Sequence, residues 1–209
     1  MGRILRLLFG EFRVSWWRTL AQLVRGRRIL VGRRFTVIGH PVLIGPAARL
    51  TLGTLPYGFA SGRDRGLLRI RGGMTVRGHV AIGVGSRFDV GPDARVDIGE
   101  DCYFSPFVRV IASNEVRFGT SCAIGWDVQI LDDDQHQFDG GRGPKAQSAP
   151  IVIGDRVWIG SGARIFKGVE IADGCVVAGG SVVTRSVLEA DCLIAGNPAQ
   201  VVRRGIHWA

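Results

Sequence analysis

From Ile153 onward an aliphatic residue returns at every sixth position: Ile153, Ile159, Ile165, Ile171, Val177 and Val183. A period of six fits neither an α-helix, which repeats at about 3.6, nor a free alternating strand. It fits a chain that runs flat for a few residues and then turns a corner. Three such segments close one triangular coil of about 18 residues, and coils stack by strand pairing at about 4.8 Å. The units read IGDRVW, IGSGAR, IFKGVE, IADGCV, VAGGSV and VTRSVL. The aliphatic residue points into the prism, and the glycine or small residue after it lets the backbone turn without a Cβ clash. This use accounts for the 31 glycines among 209 residues. A glycine-rich sandwich would leave the strict six unexplained.

The pattern extends upstream with slips. Ile98, Phe104, Val110 and Val116 share one phase, and Phe118, Ile124 and Ile130 share another. The pairs Ile82-Gly83, Val90-Gly91, Ile98-Gly99 and Phe118-Gly119 mark corners, and the irregular spacing predicts coils with widened turns. Residues 36–80 read as earlier, looser coils. Between Ile130 and Ile151 the repeat is broken by LDDDQHQFDGGRGPKAQSAP, a polar loop of a length that usually signals function. After Val183 the chain predicts a last coil, a turn at Asn197-Pro198 and a short basic terminal segment. The expected organisation is an arm over residues 1–34 and an all-β domain over 35–209 with an ejected loop at 132–150.

The net charge of +9 is unevenly placed. Residues 1–34 carry nine arginines and one acid, a balance of +8, and the other 175 residues carry 18 bases and 17 acids, a balance of +1. A nearly neutral body argues against a nucleic-acid partner, which calls for positive charge spread over a folded face. In the arm, Leu5, Leu8, Phe9, Phe12, Trp16, Leu20 and Leu23 fall at helical spacing, interleaved with arginines. Such an amphipathic helix suits peripheral contact with an anionic membrane through residues 1–28, and it equally suits capping the open end of a β-helix. The stretch is too broken by charge for a signal peptide, and no run of about 18 apolar residues predicts a spanning helix. Cys102, Cys122, Cys175 and Cys192 form no C-x-x-C pair and read as small, buried, reduced residues. The expected location is cytoplasmic, at the inner face of the cell membrane if the arm binds lipid.

The chain has no G-x-S-x-G elbow, no P-loop and no H-E-x-x-H helix. Its four histidines, His40, His79, His136 and His207, have no zinc-like spacing, so no metal is expected. His136 differs in setting: it follows Asp132-Asp133-Asp134-Gln135 at the start of the ejected loop. A neighbouring carboxylate can fix an imidazole tautomer and stabilise its protonated form, which a general base needs in order to take a hydroxyl proton.

The segment SAPIVIGDRVWIGSGARIFKGVEIADGCVVAGGSVVTRSVLEADCLIAGNPAQVVRR resembles the hexapeptide-repeat acyltransferases, within them the maltose, galactoside and polysaccharide O-acetyltransferases. The motifs I-x-I-G-D-x-V-W-I-G, G-S-V-V-T and G-N-P-A carry the resemblance, which covers about residues 80–205. It implies a left-handed parallel β-helix, an exception to the right-handed crossover rule, and a homotrimer with acetyl-CoA in the groove between neighbouring prisms. It also implies a carbohydrate acceptor. The loop histidine of the family falls on His136 and the groove tryptophan on Trp158. Ser161 and Gly179 fall where backbone meets the pantetheine arm, Thr184 and Arg185 near the adenosine end, and Arg203 near the CoA phosphates. Asp133, or Asp134 beside it, is the candidate for orienting His136.

Two departures stand out. Galactoside-type enzymes carry an asparagine near the acceptor in the preceding coil, whereas this chain reads Phe104-Ser105-Pro106-Phe107. The arginine-rich arm stands where the maltose type has its N-terminal domain. The resulting expectation is an acetyl-CoA-dependent O-acetyltransferase acting on a sugar hydroxyl of a surface polysaccharide or lipid-linked precursor. A xenobiotic O-acetyltransferase and a non-catalytic β-helix scaffold are the alternatives.

Overall fold

The computed structural model describes residues 14–54, 59–137 and 146–209. Three faces of short parallel strands wind about one core, the triangular coil that the repeat predicted and the left-handed parallel β-helix that the resemblance implied. One face stacks β7 (Arg95–Ile98), β10 (Glu115–Phe118), β13 (Ile151–Ile153) and β16 (Glu170–Ile171). A second stacks β8 (Cys102–Phe104), β11 (Ala123–Ile124), β14 (Trp158–Ile159), β17 (Val176–Val177) and β19 (Leu193–Gly196). The third runs through β2 (Phe35–Ile38), β4 (Gly66–Ile70), β6 (Arg87–Val90), β9 (Arg109–Ala112), β12 (Gln129–Leu131), β15 (Arg164–Phe166) and β18 (Val182–Val183). The long strands β3 (Val42–Leu52) and β5 (Gly73–Ile82) each pass through a corner and serve two faces.

The registers give the coil lengths directly. Val152 pairs with Glu170, Trp158 with Val176 and Arg164 with Val182, each eighteen residues on. Upstream the step is longer: Ile82 pairs with Phe104, twenty-two on, and Phe104 with Ile124, twenty on. Ile124 then pairs with Ile159, thirty-five on, so seventeen residues beyond a regular coil leave the prism as the loop after β12. Larger side chains fill the wider coils. Phe88, Phe104 and Phe118 stack edge to face along the axis, with ring centroids 5.2 and 5.0 Å apart.

The sixfold aliphatic column is buried throughout, from Ile153 to Val183. A second buried column runs two residues earlier, through Ile151, Val157, Ala163, Val169, Cys175 and Ser181. All four cysteines occupy this second position, immediately before Phe104, Ile124, Val177 and Ile194 with one residue between. Small size and a weak S–H donor suit the corner: Cys102 Sγ donates to the Gly119 carbonyl at 3.0 Å and Cys122 Sγ to Gly154 at 3.1 Å. All four are free thiols. Close approach of successive coils also dictates glycine at Gly160, where a Cβ would lie 2.6 Å from the Gly179 nitrogen.

At the N-terminal end, helix α1 (Trp16–Val24) lies against β1 (Ile29–Val31), which pairs with β3 inside the stretch assigned to the arm. Residues 1–13 of the arm lie outside the described residues. Among the described residues no helix is long and apolar enough to cross a membrane. At the other end β20 (Ala199–Arg203) folds back antiparallel on β19.

The two columns make a direct prediction. Ile165→Ala removes a fully buried side chain from a rigid stack and should cost about 2–5 kcal/mol. Leu188→Ala, at an exposed position, should change stability by less than about 0.5 kcal/mol. Thermal melting of the two variants side by side checks this.

Candidate functional site

Strand pairing on the second face aligns outward side chains in the order Ala81, Tyr103, Ala123, Trp158, Val176 and Leu193. Ala81, Ala123 and Val176 are buried, while Tyr103 and Trp158 stand out half-exposed. Large and small residues therefore alternate up the ladder and carve a slot between two aromatic walls two rungs apart. The slot belongs to a groove of about 740 Å³ that also takes in His79, Asp101, Ser105, Gly125, Trp126, Ser161 and Trp208.

The groove edge is the corner that follows β8, β11, β14 and β17. There the chain must turn and each coil approaches the next most closely. A Cβ on Gly125 would meet the Ser161 nitrogen at 2.7 Å, so the corner backbone is bare. The Gly162 N–H donates to the Trp126 carbonyl and the Gly180 N–H to the Ser161 carbonyl, which ties the rungs together. Among the described residues, the N–H groups of Ser161 and Gly179 themselves have no protein acceptor. Two unpaired amide donors one rung apart can hold a ligand that carries successive carbonyls. Among the described residues the buried indole nitrogen of Trp126 also lacks a partner.

The C-terminal segment returns to this groove. Trp208 Nε1 donates to the Arg156 carbonyl at 2.8 Å, and its ring lies 6.0 Å from that of Trp158. At the opposite end His79 sits between Arg49 and Asp101 in the ladder. Burial lowers its pKa, the Arg49 charge lowers it further and Asp101 partly offsets both. The environment thus favours the neutral imidazole.

His136 occupies a different corner. It leaves the prism after β12, between the third face and the first, is exposed, and does not line the groove. The base of its loop is firmly built. Asp132 is fully buried, and its two carboxylate oxygens accept the N–H groups of Ser113 at 2.7 Å and Asn114 at 2.8 Å. Burial raises the pKa of Asp132 against the pull of those bonds. The outgoing and returning limbs pair through Asp134 N–H to Gln147 O and Ala149 N–H to Asp132 O. Lys167 locks both: its Nζ lies 2.5 Å from Asp134 Oδ2 and donates to the Ala146 carbonyl at 2.6 Å.

Asp133 Oδ1 accepts the Gln135 N–H at 2.6 Å, shaping the turn that precedes His136. Slight burial raises its pKa, but hydrogen bonds from Gln135, Ser113 and Gln147 with the Lys167 charge outweigh that and hold the carboxyl below its ordinary range. Its contacts are with the loop base, and it sets the backbone from which His136 projects.

Of the residues singled out in the sequence, the structure brings Trp158 and Ser161 together in the groove and places Gly179 one rung above Ser161. Thr184 and Arg185 follow β18, and Arg203 stands beside Leu193 on β20; all three are exposed toward the C-terminal end of the prism. Tyr103, Trp126, His79, Asp101 and Trp208 were missed. Trp126 had a signal, since it follows Ile124-Gly125 as Ser161 follows Ile159-Gly160. Tyr103 becomes visible only once the register is known, and nothing in the tail marks Trp208. Among the described residues no three His, Cys, Asp or Glu side chains converge as a metal-ligand set.

The fold and groove are those of a hexapeptide-repeat β-helix, and the resemblance to the hexapeptide-repeat acyltransferases, in their maltose, galactoside and polysaccharide branch, holds. The profile described as "Hexapeptide repeat of succinyl-transferase" matches residues 150–185. An uncharacterized 24.8 kDa protein in the cps region of Klebsiella pneumoniae is 41% identical over 138 residues, 66% of this chain and 61% of that protein. The polysialic acid O-acetyltransferase of Escherichia coli O1:K1 is 33% identical over 144 residues, 68% of this chain and 44% of that enzyme. The chain therefore spans between 44% and 61% of these relatives' lengths. A hexapeptide-repeat-containing acetyltransferase from Vibrio cholerae O1 biovar eltor, solved with acetyl coenzyme A, superposes with a TM-score of 0.50 at 29% identity, covering 57% of this chain and 64% of that one.

The loop base can be tested without a substrate. Lys167→Ala should open the pairing of the two limbs and speed limited proteolysis at Asp134 and Gln147, where they meet. Asp132→Ala strands two part-buried N–H donors and should cost about 1–3 kcal/mol, with faster amide exchange at Ser113 and Asn114.

Proposed function

We propose that this chain is an acetyl-CoA-dependent O-acetyltransferase working as a homotrimer on a sugar hydroxyl of a surface polysaccharide or lipid-linked glycan precursor. The observation that carries this reading is the separation of the two halves of the site. One corner of the prism has the groove with Trp158, Ser161 and Gly179, and another has the anchored loop with His136. A second copy related by a threefold axis parallel to the prism supplies the missing half at each groove.

The donor fits the upper groove. The free N–H groups of Ser161 and Gly179 suit the two amide carbonyls of a pantetheine arm, and Trp158 offers an apolar wall to its stem. Thr184, Arg185 and Arg203 lie toward the same end as the nucleotide, where guanidinium groups pair with phosphates. The resemblance to the Vibrio cholerae enzyme with acetyl coenzyme A supports this assignment.

In the reaction His136 of one subunit takes the proton of an acceptor hydroxyl as that oxygen attacks the thioester carbonyl. The C–S bond breaks, the acetyl group passes to the sugar oxygen, and CoA leaves as its thiol after receiving the proton. A positioned base contributes roughly 10²–10⁴ in rate, and juxtaposition of two bound substrates adds to it. Asp133 acts as a positioning residue through the Gln135 turn.

The acceptor would occupy the groove below Trp158. Three rungs separate the Trp158 rung from that of Ala81, a length of about 14 Å, and this stretch holds Tyr103, Ser105, Asp101 and His79. An aromatic platform with flanking hydrogen-bonding groups suits a sugar ring, and the length exceeds one ring. The polysialic acid O-acetyltransferase among the relatives supports a polymeric acceptor. Placement in the cytoplasm at the inner membrane face would bring the enzyme to a lipid-linked precursor.

Purified protein should sediment as a trimer and release CoA thiol from acetyl-CoA in the presence of a glycan extract. His136→Ala should lower kcat by at least about 10² with the trimer intact. Tyr103→Ala should raise KM for the acceptor and leave KM for acetyl-CoA unchanged, and Trp158→Ala should do the reverse. A fully active His136→Ala trimer would remove the proposed base.

A further inference from the structure

Helix α1 turns its polar side inward and its apolar side outward. Thr19 is 6% exposed, and its Oγ1 accepts the Val31 N–H at 3.1 Å. The Ser15 N–H donates to the Val31 carbonyl at 2.8 Å, and Gln22 is half-buried on the same side. Opposite them Trp17 is 85% and Val24 79% exposed, and between these and Thr19 the apolar stripe continues through Leu20, Trp16 and Leu23, each 52% exposed. The spacings 17, 20, 24 and 16, 20, 23 make these five one continuous stripe along the helix. A helix whose role was only to shield the open prism would turn this stripe inward.

The same end of the prism is strongly basic. Residues 14–54 contain seven arginines and no Asp or Glu. Arg18 and Arg28 donate to neutral carbonyls, those of Phe35 and Pro46, and among the described residues neither pairs with a carboxylate. On the first strands at this end Ile38, Val42 and Ile44 are also exposed. A second copy is a poor cover for this face, because it would bring one set of arginines against another. A surface that is apolar at its centre and anionic around it meets both requirements.

We propose that this face docks on an anionic lipid bilayer. Helix α1 lies in the plane of the interface, with Trp17, Leu20 and Val24 at the boundary between headgroups and acyl chains and the arginines at the lipid phosphates. The docking depends on described residues outside the groove and the His136 loop, so it stands or falls independently of the acetyl-transfer reading.

The test is co-sedimentation of the full chain with vesicles of phosphatidylcholine alone and with about 30% phosphatidylglycerol added. The protein should pellet with the anionic vesicles and stay in solution with the neutral ones. Raising the salt from about 0.1 to about 1 M, which shortens the screening length from about 10 to about 3 Å, should release much of it. The double variant Trp17→Ser, Val24→Ser alters only exposed positions. It should lower partitioning at least about tenfold with an unchanged melting curve. Equal partitioning of variant and parent overturns the proposal, as does failure of the parent to bind anionic vesicles. Loss of self-association in the variant, with no lipid binding by the parent, would assign the face to a second copy and likewise overturn it.

Discussion

Everything in this molecule depends on in-register stacking of one coil on the next. Each rung satisfies its backbone N–H and C=O groups through the rungs above and below, and each adds two inward side chains to a core only a few residues across. Such a core has no slack. Where the step is eighteen residues, Ile, Val, Ala and Cys fill it; where it widens to twenty or twenty-two, three phenylalanines stack along the axis instead. Stability is distributed along the stack, and the structure tolerates an ejected loop because the rungs on either side still pair, Ile124 with Ile159.

The stacking also builds the site. Pairing fixes which outward residues become neighbours, so Tyr103 and Trp158, 55 positions apart in the chain, become two walls over the floor of Ala123. The corners are bare of Cβ atoms at Gly125 and Gly160, and the N–H groups of Ser161 and Gly179 there have no acceptor among the described residues. The loop that carries His136 is rigid at its base because a buried carboxylate, Asp132, and a cation, Lys167, tie its limbs to the prism. A scaffold this regular provides its chemistry where the repeat is broken or the chain turns, which is where loops and corners can depart from the core pattern.

Parts of this were legible beforehand. The sixfold column, the corner glycines, the ejected loop and the position of His136 within it all follow from spacing, since a period of six admits few structures. The second buried column was hidden because its members, Val157, Ala163, Cys175 and Ser181, share small size and no common chemistry. The cysteines were read as buried, but their common place at the corner emerged only from the register. The arm read as helical, with a cap and a membrane anchor equally open. The structure shows α1 packed through Thr19 with the Trp17–Val24 stripe outside, an orientation that periodicity cannot give, because a helical stripe does not say which side meets the core.

The sequence by itself determined the repeating coil, its inward residues and the point where the loop escapes, because these depend on local turning and on burial of every sixth side chain. Only the tertiary structure decided that His136 and the groove stand at different corners, that Tyr103 faces Trp158 across Ala123, and that Trp208 returns to the groove. Those are facts of how far each coil travels before meeting its neighbour, and coil length, set by every slip and insertion together, is a sum over the chain that no single motif contains.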